Sequence, residues 1–287
     1  YRDPSFDSTS SQQLYTWLIK PFEAALAQSG TQTLVFVPDG VLRSVPMSAL
    51  FDGQQYLVER YAIATTPSLT LTDFRPLPES GLQALALGLS QGIVTSDGQA
   101  FLPLRNVPNE INTVLTQFPG SQALLDADFS RERLQQTLAQ RPFPLLHVAT
   151  HGQFGADPKD TFIVTGKGEK LTFGELEALI RGTAPSAEPI ELISLTACET
   201  AVGDDRSTLG LAGVAIRAGA RSAIASLWTI DDATTADLVS DFYTGLLKPE
   251  LNKAQALQAA QKEIITAGGD RAHPAYWAPL IVVGNWL

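Results

Sequence analysis

Apolar residues near the start of the chain recur at helical spacing. Leu14, Trp17, Leu18 and Phe22 predict a helix over Ser11–Gln28, with Pro21 placed to kink it. Thr33–Pro38 is a short apolar run that reads as a strand. Asp39-Gly40 signals a turn before Val41–Leu50, and Tyr56–Thr66 reads as a strand pair. Phe74–Gly81 holds two prolines and a glycine and is the best internal boundary. We therefore expect a smaller N-terminal subdomain over residues 1–80 and a main domain over 81–287.

From Leu82 onward apolar runs alternate with amphipathic stretches. Strands are predicted at Ala84–Leu89, Ala123–Leu125, Leu145–Thr150, Ile190–Thr196, Ser222–Leu227 and Leu280–Val283. Helices are predicted at Asn109–Phe118 with Asn109 as cap, and at Arg131–Gln140 with Ser130 as cap. Leu171–Ile180 carries a capping-box pattern in Thr172 and Glu175. Further helices are predicted at Leu209–Ala218, Thr234–Leu247 and Lys253–Ala267. Continuous apolar strands alternating with helices imply an α/β fold, a mostly parallel central sheet with helices on both faces.

Composition narrows the function classes. A 44% hydrophobic, 17% charged chain of 287 residues is a core-former with room for one large domain or two modest ones. No apolar run approaches the ~18 residues of a membrane span, so no membrane partner is expected. The net charge of −10 argues against nucleic acid, whose phosphates require basic patches. A single cysteine excludes an internal disulfide and a pair of metal-ligand thiols, and fits a reducing compartment such as the cytoplasm. No metal or cofactor is expected, and no G-x-G-x-x-G follows the first main strand to bind a dinucleotide. The opening residue is Tyr1 rather than Met, which leads us to expect a piece of a longer protein.

Candidate chemistry sits where strands end, because ligands of open α/β sheets bind beyond the carboxyl ends of the strands. Leu145–Thr150 delivers His151-Gly152, Ile190–Thr196 delivers Cys198, and Ser222–Leu227 delivers Trp228, Asp231 and Asp232. If these strands are parallel neighbours, the three ends share one rim. The bare backbone of Gly152 lets its N–H approach a substrate and donate to an oxyanion. The plain alternatives are a strand-ending histidine at a turn and a small buried thiol. A thiol beside a histidine becomes a nucleophile, and the separation, 198 − 151 = 47 residues, matches the roughly 50 that caspases place between theirs.

The blocks Leu146-His147-Val148-Ala149-Thr150-His151-Gly152 and Leu195-Thr196-Ala197-Cys198-Glu199-Thr200 resemble the CHAT domain family. The blocks around Val37-Pro38-Asp39-Gly40, Ser226-Leu227-Trp228-Thr229-Ile230-Asp231-Asp232 and His273-Pro274-Ala275-Tyr276-Trp277-Ala278-Pro279 are similar to further blocks of that family, from about Leu14 to Leu287. The resemblance implies a caspase-like (caspase-hemoglobinase) fold, related to separase and often joined to tetratricopeptide repeats. It implies a cysteine endopeptidase acting on a protein substrate. His151 would be general base and acid, Cys198 the nucleophile, and the N–H groups of Gly152 and Cys198 the oxyanion hole. Asp232 matches an acidic position of separase-like enzymes, so an acidic pocket of Asp232, Asp231 and Trp228 would favour cutting after a basic residue. The aspartates read equally as helix caps. The resemblance also implies regulation through a repeat region or partner protein preceding this chain. The N-terminal subdomain would be a sheet extension or a pseudo-protease half. The competing readings are a catalytically silent scaffold of the same fold and a different cysteine hydrolase or acyltransferase, since the same dyad serves those reactions. His147 reads as a satisfied core histidine, His273 as a turn residue, and Trp228, Tyr276 and Trp277 as packing. No side chain is an obvious third member to orient His151; a backbone carbonyl can serve, and the sequence does not tell what does.

Overall fold

A computed structural model describes residues 8–70, 72–78, 80–153, 161–182, 189–196, 216, 219–228 and 231–287. The eight longest of its strands pair into one sheet, numbered here in chain order. They are β1 Thr33–Phe36, β2 Ala62–Thr65, β3 Ala84–Gly88, β6 Gln122–Leu125, β7 Leu145–Ala149, β11 Leu192–Leu195, β12 Ser222–Ser226 and β13 Leu280–Gly284. Their order across the sheet is β1-β2-β13-β12-β11-β7-β3-β6. Every junction is parallel except β12 with β13. The five strands from β12 to β6 therefore run one way and deliver their carboxyl ends to one rim. β1 and β2 lie at the far edge of the same sheet, so the early strands extend it.

The period-2 alternation of strand side chains divides the core in two. Ala84, Ala86, Leu145, Ala149, Leu192 and Ile224 face one layer, with buried residues of the helices Val107–Gln117, Asp232–Leu246 and Lys253–Ala267. Leu85, Leu87, Leu146, Val148, Ile193 and Leu195 face the other, with the helices Arg131–Gln140 and Phe173–Gly182. Close approach of the first layer depends on Gly88. A Cβ there would lie 2.8 Å from Leu125 Cδ1 and 3.0 Å from Ile111 and Val107 of the helix above.

Most predicted elements appear, and the departures have local causes. The first helix breaks at Pro21 into Thr9–Leu18 and Glu23–Ser29, with a 3-10 turn between them. Val41–Leu50 forms two 3-10 turns. Only the second half of Tyr56–Thr66 is strand, because the Glu59 carboxylate accepts the Tyr56 N–H at 2.6 Å and closes a helical turn over Leu57–Arg60. The helix predicted from Asn109 begins at Val107, with Asn106 at the cap position and a proline in its first turn. Ser130 caps its helix as expected, accepting from Arg133 N, and Thr172 with Glu175 forms a reciprocal box. The predicted helix Leu209–Ala218 falls, apart from Ile216, outside the described residues.

Two small sheets went unpredicted. β4 Ile93–Val94 and β5 Ala100–Phe101 form a hairpin, while β8 Gly152–Gln153, β9 Phe162–Val164 and β10 Lys170–Thr172 form a three-stranded sheet. Both lie on connections leaving that rim. No helix among the described residues is long and apolar enough to cross a membrane.

Candidate active site

The three strands expected to converge are adjacent, in the order β7-β11-β12. β7 pairs with β11 in a parallel register that matches Leu145 to Leu192 and Val148 to Leu195. The offset, 192 − 145 = 47, equals the separation of His151 and Cys198. Each of those residues thus comes three positions after the last matched residue of its own strand. Cys198, Glu199 and Thr200 lie outside the described residues, so the structural account of the rim rests on His151 and its surroundings.

His151 is held on every side that the structure describes. Its main-chain carbonyl accepts from Val164 N at 2.9 Å, tying it to β9. The preceding Thr150 hydroxyl donates to the Val164 carbonyl at 2.6 Å. The imidazole packs on Phe101, with ring centroids 5.0 Å apart, and is only 8% exposed. Nε2 lies 2.7 Å from the Leu102 carbonyl oxygen. A carbonyl only accepts, so Nε2 carries the proton and donates it. In the neutral ring the basic nitrogen is then Nδ1, which sets the tautomer for proton exchange. The Leu102 carbonyl thus fixes the orientation of the ring.

The hairpin that supplies this carbonyl is itself braced. At its base Asp126, in left-handed backbone with φ 50°, accepts from Ser90 N at 2.7 Å, Ser90 Oγ at 2.8 Å and Gln91 N at 3.3 Å. Leu104 N closes the other foot on the Ser90 carbonyl at 2.9 Å. At its tip Lys170 Nζ donates to Asp97 at 2.5 Å and to Gln99 at 2.9 Å, and that ammonium holds the Asp97 carboxyl down at about 2. The Leu102 side chain, by contrast, is 80% exposed beside the histidine.

Gly152 opens β8 opposite Ile163. The bond from Val164 N to the His151 carbonyl makes Gly152–Ile163 a non-hydrogen-bonded pair, so the Gly152 N–H points away from β9. That leaves it available to an oxyanion.

The third rim segment is tied into the fold. Asp231 caps the helix Asp232–Leu246, accepting from Thr234 N and Thr234 Oγ1 at 3.0 Å each. Asp232 Oδ2 accepts from Asn106 N and Asn106 Nδ2 at 2.9 Å each, so it fastens the start of the helix Val107–Gln117. The half-buried Trp228 donates from Nε1 to the Ala275 carbonyl at 3.2 Å. Both aspartates thus have structural employment, whatever else they bind. His273 accepts from Ala275 N at 3.1 Å and Trp277 is fully buried, matching the roles read for them from the sequence.

His147 is buried, as expected, but it is not alone. Facing the same layer as Leu145 and Ala149, it meets Tyr243 OH at 3.0 Å through Nδ1 and Glu110 Oε1 at 3.0 Å through Nε2. Glu110 is 2% exposed and accepts from Thr196 Oγ1 at 2.5 Å, and Tyr243 donates to Ser194 Oγ at 2.8 Å. Burial pushes the Tyr243 phenol well above its ordinary value, keeping it protonated. Sequence reading passed over Glu110, although a signal existed: Val107, Glu110, Ile111 and Val114 make one helical stripe, with a carboxylate where a hydrophobe belongs.

A family model for the CHAT domain matches residues 8–285. The chain belongs to the CHAT domain family. Human tetratricopeptide repeat protein 28 is 22% identical to this CHAT domain over 336 residues, covering 99% of the chain, which spans 13% of that protein's length. Among solved structures, the complex of Porphyromonas gingivalis RgpB pro- and mature domains aligns with a TM-score of 0.58 at 11% identity, covering 98% of this chain and 69% of that one. The Arg-specific cysteine proteinase gingipain R aligns with a TM-score of 0.46 at 13% identity, covering 71% of this chain and 46% of that one. The chain thus shares its α/β fold, a mostly parallel sheet between helices, with the RgpB complex.

Proposed function

We propose that this CHAT domain is a cysteine endopeptidase working through His151 and Cys198. The observation that carries the reading is the register of β7 against β11, whose offset of 47 is also the spacing of the two residues. With Nε2–H held by Leu102, Nδ1 of His151 takes the thiol proton, giving a thiolate–imidazolium pair. The thiolate forms a C–S bond to the scissile carbonyl carbon, and the displaced electron pair rests on an oxygen stabilised by the N–H groups of Gly152 and Cys198. As the C–N bond breaks, His151 gives its proton to the leaving amine. Water, deprotonated by His151, then releases the acyl group and restores the thiol. Asp232, with Asp231 and Trp228 beside it, gives this rim an acidic flank, which supports a preference for cutting after Arg or Lys. The similarity to a tetratricopeptide repeat protein supports a repeat region as regulator. The 8% exposure of His151 favours, as second reading, a silent scaffold or a site opened only by such a partner.

The test is cleavage of a peptide library and of candidate proteins by the wild-type chain, Cys198→Ala and His151→Ala, with new termini mapped. Cleavage is expected in the wild type alone and after basic residues. Equal cleavage by both variants would refute the dyad, and cuts only after apolar or acidic residues would remove the acidic pocket.

A further inference from the structure

The buried polar group beneath the rim has a proton inventory that does not close with default states. Tyr243 gives its single proton to Ser194 Oγ, so at the His147 contact the phenol oxygen accepts and Nδ1 donates. In a neutral ring Nε2 then presents a lone pair. It is fully buried, completes no hydrogen bond among the described residues, and sits 3.0 Å from Glu110 Oε1. That same oxygen already accepts from Thr196. A lone pair and a carboxylate oxygen at that distance repel in a buried setting.

The position of this group matters more than its stability. His147 is on the strand that ends at His151, and Thr196 is two residues before Cys198. Glu110 stands between them on the first turn of a helix whose start is fastened by Asp232. We propose that Glu110 is a positioning residue that anchors through Thr196 the strand end leading to Cys198. The proposal rests on the dyad reading and adds to it a residue that touches neither substrate nor thiol.

The experiment uses the single cysteine of the chain, so that intact mass reports iodoacetamide alkylation of Cys198 alone. His151→Ala comes first. If it leaves the pH profile of alkylation unchanged, the dyad reading fails whatever Glu110 does. If it abolishes the low-pH arm, Thr196→Val and Glu110→Leu are measured at temperatures where circular dichroism finds them folded. Both are expected to slow alkylation at neutral pH by about tenfold, with the profile moved toward that of a free thiol. Thr196→Ser is expected to restore the rate, because it returns the donor. Glu110→Gln is expected to recover most of the loss, because its amide oxygen accepts from Thr196. Should Glu110→Leu fail to fold, the near-isosteric Thr196→Val carries the test. Wild-type rate and profile in Thr196→Val overturn the positioning role, and a Gln variant as slow as Leu overturns the role of the residue-110 side-chain oxygen as the acceptor for Thr196.

Discussion

Lys253 makes the folded chain more stable in mild alkali than at neutral pH. It is the first residue of the helix Lys253–Ala267 and has no exposed surface. Its ammonium donates to the Leu287 carbonyl. Burial pushes its ionisation down from 10.5 to about 8, with the Arg221 guanidinium adding to the fall and Glu191 and Asp73 opposing it. The positive end of the helix dipole is unfavourable to the same charge. Because the folded value lies below the unfolded one, the unfolded chain binds more protons between those limits, and stability rises with pH across them. The full difference is on the order of 3 kcal/mol, and about 2 kcal/mol of it is recovered between pH 8 and pH 10. Lys253→Met removes the charge at the cost of one hydrogen bond of about 1 kcal/mol, so it is expected to stabilise by about 2 kcal/mol near pH 7. Urea unfolding followed by tryptophan fluorescence at several pH values, wild type minus Met variant, isolates the term from the tyrosines, whose raised values act only above pH 10. A difference that stays flat from pH 8 to pH 10 would refute the reasoning.

Two further outcomes follow from the rim and its braces. A Cβ at Gly166 would lie 1.6 Å from the Asp126 carbonyl oxygen, so Gly166→Ala must displace the residue that holds the hairpin base. It is expected to cost about 3 kcal/mol in urea unfolding, the upper end for overpacking, and to move the pH profile of Cys198 alkylation by disturbing Leu102. On the acid side, hydrogen bonds from Arg131 and Thr172 hold the Glu175 carboxyl at about 2 against an ordinary 4.5. Its contribution is complete above the ordinary value and disappears as pH falls toward the folded one. Arg131→Met should therefore narrow the stability gap between about pH 5 and pH 3, by less than ~1 kcal/mol because both side chains are more than a third exposed. An unchanged gap in the thermal midpoints would remove that contribution.

The apolar runs by themselves determined which segments became the central strands. A run such as Leu145–Thr150 has no solvated face and must be covered on both sides. The cap at Ser130, the box of Thr172 and Glu175, and the break at Pro21 were legible for the same local reason, since each is completed within four residues. So were His151 and Gly152 as residues leaving a strand end. The neighbouring order of β7 and β11 was an inference from alternation, and its register had no local signature. What orients His151 is the Leu102 carbonyl, and a main-chain oxygen has no residue type by which to be found. The two-residue strands of its hairpin are too short for periodicity to reveal. Glu110 meets Thr196 across 86 residues of chain. Its sequence showed only a misplaced charge; the folding of one helix over two parallel strands supplied the donors that make the charge tolerable, because a buried carboxylate takes its meaning from the groups packed against it.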